Sequence, residues 1–189
     1  MIIDLLRHGE TELAGGLRGS LDDALTAKGW EQMHAAIAGK GPWDALVSSP
    51  LQRCARFAVT LGGQWQLPVQ WAPGLQELHF GEWEGRSAAD LMLTHEQQLG
   101  QFWADPYSYT PPGGEPVSAF ALRVQAAVAQ LQRAYAGQHV LLVTHGGVMR
   151  LLLAQARGLP REQLLQVEVG HGALCRLQVH ADGTLREAH

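Results

Sequence analysis

Two short apolar runs in this chain end alike, and that likeness constrains the fold more than any other feature. Residues 2–6 (IIDLL) stop at Arg7-His8-Gly9, and residues 139–144 (HVLLVT) stop at His145-Gly146-Gly147. Each run has the length of a buried strand. In open α/β sheets, ligands sit beyond the carboxyl ends of the strands. Two strands that each deliver a histidine and a glycine there predict a parallel sheet with chemistry along one edge. Arginine adds a fixed cation with a planar donor fork suited to phosphate or carboxylate. Histidine serves as a nucleophile or an acid/base near neutral pH. Glycine lets the backbone come close to a ligand. Either pattern alone reads as a histidine on an exposed turn. The pair resists that reading, because Arg53 and Glu77 lie in segments that enter the same edge.

The rest of the chain alternates strand and helix. Thr26 caps a helix over 25–37, with Trp30, Met33, Ala36 and Ile37 on one stripe and Gly39 and Gly41-Pro42 at its end. A strand at 45–47 ends in Ser48-Ser49-Pro50, which opens the next helix with a capping serine and an early proline. That helix carries Arg53 in its first turn, near the positive end of the dipole, and stops at Gly62-Gly63. A short strand at 69–71, an irregular stretch at 74–85 and a helix at 87–102 follow. Residues 104–116 are rich in Pro, Gly and Tyr and read as an ordered loop. A helix at 117–135 precedes the second His-Gly strand, and another at 148–157 follows it. Late strands are expected at 164–169 and 174–179, with a hairpin turn at Asp182-Gly183. The pattern is α/β: a three-layer α/β/α sandwich with a mostly parallel central sheet. It forms one domain over 1–189, with a lid-like insertion at about 78–116.

Composition narrows the partners. A 189-residue chain with 46% hydrophobic and 17% charged residues builds a full core. A net charge of −4 offers no basic field for nucleic acid, so none is expected as a partner. The cations are almost all arginine, with Lys28 and Lys40 the only lysines. An anionic substrate would be held by a few placed arginines. Cys54 and Cys175 form no CxxC pair and read as reduced, partly buried thiols. None of the nine histidines makes an HExxH spacing, so no metal and no cofactor is expected. The sequence begins at once with a strand rather than a leader, and no apolar run reaches about 18 residues. The expectation is a cytoplasmic protein without membrane contact; a homodimer is left open.

Phosphoryl transfer through a phosphohistidine fits the paired histidines. A neutral imidazole is a competent nucleophile and needs no metal. The phosphoryl group spreads charge over its equatorial oxygens, so fixed donors must surround it. Arg7 and Arg53 supply guanidinium forks, and the second histidine donates as imidazolium. The leaving oxygen needs a proton, which a carboxylic acid such as Glu77 gives before activating the hydrolytic water.

Four stretches, LLRHGETE, SSPLQRC, LQELHFGEWEG and VTHGGVMR, occur in that order between Leu5 and Arg150. Together they resemble the histidine phosphatase superfamily, which has the phosphoglycerate mutase-like fold. The resemblance implies that His8 is the phosphorylated nucleophile, that Arg7, Arg53 and His145 bind the phosphoryl group, and that Glu77 is the proton donor. It adds the Gly146 amide as a further donor. Members of the family often carry Asn where this chain has Ala14, so one phosphate donor is missing; Arg18 or Ser20 from the same loop could replace it. The chain is compact and poor in lysine, which favours hydrolysis of a small-molecule phosphomonoester over mutase activity. LRGSLDDALTAKGW and FGEWEG resemble members that remove the 5′-phosphate of α-ribazole phosphate during assembly of the cobalamin lower ligand. A sugar bisphosphatase or broad-specificity phosphatase, a phosphoglycerate mutase and a non-catalytic phosphate-binding scaffold are the alternatives.

Other residues have plainer readings. Glu82 and Glu84 rival Glu77, but the resemblance places the acid before FGEWEG. His79, His95, His139, His180 and His189 read as surface or structural groups. His171, between two glycines, could reach the pocket. Trp83, Trp103, Tyr107 and Tyr109 read as core or lid packing rather than substrate stackers. Arg150 and Arg157 read as a solvated helix face.

Overall fold

The computed structural model describes residues 1–13 and 15–188. Ala14, where the donor is missing, and His189 lie outside the described residues. One mixed sheet runs β3-β2-β4-β1-β5-β6. Its strands are β1 (Ile2–Arg7), β2 (Ala45–Ser48), β3 (Val69–Trp71), β4 (His139–Thr144), β5 (Leu174–Val179) and β6 (Leu185–Ala188). The β3-β2-β4-β1 half is parallel, and β5 and β6 close the far side as an antiparallel hairpin. The register Leu6↔Val143 and Arg7↔Thr144 puts the two His-Gly ends side by side.

Side chains of neighbouring strand residues point to opposite faces, and both faces here are covered. Leu6, Leu46, Leu141 and Val143 pack against α1 (Ala27–Ile37) and α2 (Gln52–Trp65) through Met33, Cys54, Phe57 and Leu61. Leu5, Val47, Val140 and Leu142 pack against α3 (Ala88–Ala104), α4 (Val117–Ala134) and α5 (Gly146–Ala156) through Leu91, Phe120, Val124 and Leu152. Phe57 and Phe120 are fully buried, and losing either ring would cost about 3–5 kcal/mol. This is the expected three-layer sandwich.

Three local expectations need correction. Residues 161–166 form a 3₁₀ helix rather than the start of a strand at 164–169. β1 is already flanked by β4 and β5, so that segment has no place beside it. The carbonyls of Val167 and Val169 are instead taken by Arg150 and Arg7. Second, α2 has Leu51 at its N-cap position with no side-chain cap, so neither serine before it is a cap. The Ser49 hydroxyl faces His145, and the Ser48 hydroxyl donates to the Ser49 carbonyl. Third, α2 runs through Gly62-Gly63 and ends at Gln66, whose φ is 56°. Gly62 sits under the Leu67 carbonyl, where a Cβ would clash, so it is a packing glycine inside the helix. The helix over 87–102 is capped as its sequence suggests: Ser87 and Asp90 form a reciprocal capping box. His95 breaks its regularity with φ −142°.

Candidate active site

The carboxyl ends of β1 and β4 are tied together by the His8 amide, which donates to the Thr144 carbonyl at 3.0 Å. The chain then turns at Gly9, where a Cβ would run into the Gly29 backbone. Gly29 in turn has no room for a Cβ beside Glu10. The loop after β1 and the start of α1 therefore pack backbone to backbone, which fixes the direction of His8. His8 is buried, and its Nδ1 lies 2.8 Å from the Gly9 carbonyl. That bond assigns the proton to Nδ1 and leaves the Nε2 lone pair free.

His145 occupies the N-cap position of α5 and is fully buried. Its ring centroid is 5.3 Å from that of His8, at 62°. Arg53 Nε donates to its Nδ1 at 3.3 Å, so Nε2 carries the proton and meets Ser49 Oγ at 2.7 Å. Arg53 is fully buried too; its Nη atoms donate to the carbonyls of Leu21 (2.6 Å) and Gly19 (2.8 Å). Asp23 faces both Arg53 (3.6 Å) and Arg18 (3.0 Å). Arg7 Nη1 donates to the Val169 carbonyl at 2.6 Å, while its buried Nε has no hydrogen-bond partner among the described residues. A Cβ at Gly146 would lie 3.1 Å from that Nε. The Gly146 amide opens α5 and has no intrahelical acceptor. Two unspent donors thus meet next to His8.

The site is cationic and its imidazoles are neutral. Burial, then the charges of Arg53 and Arg7, push His8 well below the usual histidine range, against the opposing bond to Gly9. Burial, Arg53, His8 and Arg7 do the same to His145. With no anion bound, His145 is thus held as a neutral ring among these guanidinium groups. Burial and Arg150 lower Arg7 to about 10, so it stays protonated at neutral pH. Cys54, whose Sγ lies 3.4 Å from the Thr144 carbonyl, is pushed up by burial and is an inert thiol.

Glu77 reaches the cluster from the segment after β3. A 3₁₀ turn at Pro73–Leu75 bends the chain, and Thr144 Oγ1 donates to the Leu75 carbonyl at 3.1 Å. The two carboxylate oxygens of Glu77 accept the amides of Leu78 and Gly147, each at 2.9 Å. Its rivals are placed elsewhere. Glu82 is exposed, and Glu84 accepts the amides of Ser20, Leu21 and Phe80. The Ser20 hydroxyl also donates to Glu84, at 3.0 Å, so Ser20 is held as part of a loop anchor. Arg18 stays near the pocket and acts electrostatically on Arg7.

Sequence reasoning undervalued several neighbours. Arg150 is no solvated-face residue: Nε donates to Val167, and a Cβ at Gly146 would lie 3.0 Å from its Nη1. His171 stands 5.8 Å from the His8 ring. Ser49 and Asp23 were not singled out, although Ser49 sits at the carboxyl end of β2, on the same edge as the histidines. Of the aromatics, Trp83 is fully buried and stacks on Tyr109 at 5.4 Å, whereas Trp103 is half exposed and is not a core residue. His139 and His95 have structural partners in Asp4 and Thr94.

Comparison with known proteins agrees with this geometry. Residues 3–188 match the histidine phosphatase superfamily (branch 1). The chain is 34% identical over 181 residues to the adenosylcobalamin/alpha-ribazole phosphatase of Escherichia coli K12, covering 93% of this chain and 89% of that protein. It is 35% identical over 168 residues to the glucosyl-3-phosphoglycerate phosphatase of Mycolicibacterium vanbaalenii, covering 82% and 74%. The crystal structure of the alpha-ribazole phosphatase from Shigella flexneri superposes with a TM-score of 0.85 at 31% identity, covering 100% of this chain and 95% of that one. The chain belongs to the histidine phosphatase superfamily, and its two His-Gly strand ends are where that membership is written.

Proposed function

We propose that the protein hydrolyses a small-molecule phosphomonoester through a phosphohistidine at His8. The observation that carries this reading is the buried His8 ring, fixed through Nδ1 to the Gly9 carbonyl and held well below the usual histidine range, which leaves Nε2 a free base in the site that also holds Arg7 and His145. In the first step Nε2 attacks phosphorus, an N–P bond forms, and the P–O bond to the leaving alcohol breaks. Glu77, in its acid form, gives the alcohol its proton. In the second step the Glu77 carboxylate takes a proton from water, the hydroxide attacks phosphorus, and the N–P bond breaks to release inorganic phosphate and neutral His8. Arg7, Arg53 and the Gly146 amide hold the equatorial oxygens in both steps. His145 joins them as charge accumulates, since a phosphoryl dianion favours protonation of the adjacent imidazole.

The substrate we infer is α-ribazole 5′-phosphate. The names of the relatives support it, and so does an apolar recess beside Glu77, Gly147 and Arg150. That recess, of about 60 Å³ and lined by Leu78, Phe80, Phe102, Phe120 and Leu164, offers the leaving group an apolar wall rather than a pocket that encloses its base. Leu78, Phe80, Phe102 and Pro106 of this lining belong to residues 78–116, which we read as a lid-like insertion. The setting is cytoplasmic; among the described residues no helix is long and apolar enough to cross a membrane.

The test is rapid-mixing turnover followed by substrate comparison. The wild-type chain should release one equivalent of alcohol per site and form an acid-labile phosphoprotein, and His8→Ala should abolish both. Normal turnover in His8→Ala would overturn the mechanism. The kcat/KM for α-ribazole 5′-phosphate should exceed those for fructose 2,6-bisphosphate, 3-phosphoglycerate and glucosyl-3-phosphoglycerate; a preference for any of the sugar or glycerate phosphates would overturn the substrate alone.

A further inference from the structure

We propose that His171 is a third histidine of the phosphoryl site, binding a phosphate oxygen from the loop that precedes β5. The inference rests on the reading of His8 as nucleophile and adds a ligand to it. Its ring centroid lies 5.8 Å from that of His8, tilted by 43°.

The loop that carries His171 is fastened to the catalytic strand. The Arg7 amide donates to the Ala173 carbonyl at 2.9 Å, Arg7 Nη1 to Val169 at 2.6 Å, and the Gly172 amide to the His8 carbonyl at 3.4 Å. Gly172 has φ +69°, and a Cβ there would press at 3.0 Å on the Gln32 backbone and side chain. Glycine is thus required where the loop bends against α1, and the bend sets where His171 projects. His171 is exposed, and among the described residues nothing hydrogen-bonds its ring, so its nitrogens are open to solvent or to an anion in the site. A surface histidine with no task would share that freedom, but not a place beside the nucleophile inside a loop stapled to Arg7 and His8.

The charges around it explain how it would act. Arg7 faces it from β1, Arg18 from the loop after Gly16, Lys28 from α1 and Glu10 from the turn after His8. Burial, then Arg7 and Arg18, hold the ring below the usual histidine range, while Glu10 opposes them. A bound phosphate dianion reverses that balance and protonates the ring. His171 then becomes a charged donor only when the anion is present.

Titration calorimetry of the full chain with inorganic phosphate, at pH 6 and pH 8, tests this. His171→Ala should weaken phosphate binding about tenfold at pH 6 and reduce proton uptake on binding, measured in buffers of different ionisation heat. His171→Gln, which keeps a donor but cannot titrate, should recover part of the affinity without the proton uptake. Unchanged affinity and proton uptake in His171→Ala would overturn the inference, as would a wild-type chain that binds no phosphate. The readout is binding, so the two readings fail separately. Phosphate held through His171 by a chain that turns over no phosphomonoester sinks the enzymatic reading alone. Turnover through His8 that is indifferent to His171 sinks this one.

Discussion

Glu77 Oε2 accepts the Gly147 amide at 2.9 Å, and this bond ties the proposed proton donor to the first turn of the helix that follows His145. Gly147 is glycine for a steric reason: a Cβ there would collide with the Glu77 carboxylate. Gly147→Ala should therefore displace Glu77 while leaving the phosphoryl donors in place. Displacing a general acid costs on the order of 10²-fold, and the cost depends on the leaving group. The expected outcome is a kcat loss of about 10- to 100-fold on an alkyl phosphate and a much smaller one on p-nitrophenyl phosphate, whose leaving group needs little protonation. Equal losses on both substrates would detach Glu77 from leaving-group protonation.

Arg123 positions the same carboxylate from behind. Its guanidinium donates to the carbonyls of Gly74 (3.0 Å), Gln76 (2.8 Å) and Glu77 (2.9 Å), and to Glu115 at 2.7 and 2.8 Å. A planar fork with five donors fits this cradle, and a lysine ammonium does not. Arg123→Lys should lower kcat by roughly tenfold with KM for p-nitrophenyl phosphate little changed, because a misplaced catalytic group impairs chemistry rather than phosphate binding. Steady-state kinetics on the variant decides: a rise in KM at constant kcat would assign Arg123 to substrate binding instead.

The half of the site nearest the strands was legible in the sequence, and the half built from loops was not. Arg7, His8, His145 and Gly146 follow directly from where two apolar runs stop, because the strand register leaves those residues little freedom. Arg53 and Glu77 were legible as members of short motifs. His171 and Arg150 were not, since their approach depends on how residues 159–173 cross back over the edge of the sheet, and no local pattern encodes that path. The mistaken strand at 164–169 has the same origin. Alternating apolar residues there suited a strand, but their carbonyls are used by Arg7 and Arg150. Ser20 erred in the other direction, since its polar side chain beside the motif serves Glu84.

At the far end of β1, Asp4 is the buried charge that the apolar run had to accommodate. Its oxygens accept Arg176 Nε (2.7 Å), Trp43 Nε1 (2.8 Å) and meet His139 Nε2 (2.9 Å). Burial alone would raise its pKa, but the bonds from Arg176 and Trp43 and the charges of His139 and Arg176 outweigh it, and the pKa is lowered. Its stabilising contribution is present above the ordinary carboxylate range and lost as pH falls through the lowered value. Asp4→Asn removes the charge and one of the two acceptor oxygens that Arg176 and Trp43 share, and should cost about 3 kcal/mol in urea unfolding at pH 7. That deficit should shrink below pH 3. A deficit that does not change with pH would show that packing, not charge, is what Asp4 supplies.

His8 and His145 give stability the opposite relation to function. Both rings are held below the usual histidine range, first by burial and then by Arg53 and, more weakly, Arg7. An unfolded chain protonates them near pH 6.5, whereas the folded chain does so only at lower pH. Their neutral burial is thus fully tolerated above about pH 6.5, and the folded state loses ground as pH falls below it. Each proton bound only by the unfolded chain contributes a slope of about 1.4 kcal/mol per pH unit, so the pair contributes up to about 2.7. Urea unfolding between pH 8 and pH 5 should show stability falling below pH 6.5, with the slope roughly halved in His145→Asn. Imidazole carbon resonances should show both rings still neutral at pH 6. A ring that titrates at 6.5 would be solvated rather than buried among guanidinium groups, and the neutral nucleophile of the proposed mechanism would lose its physical basis.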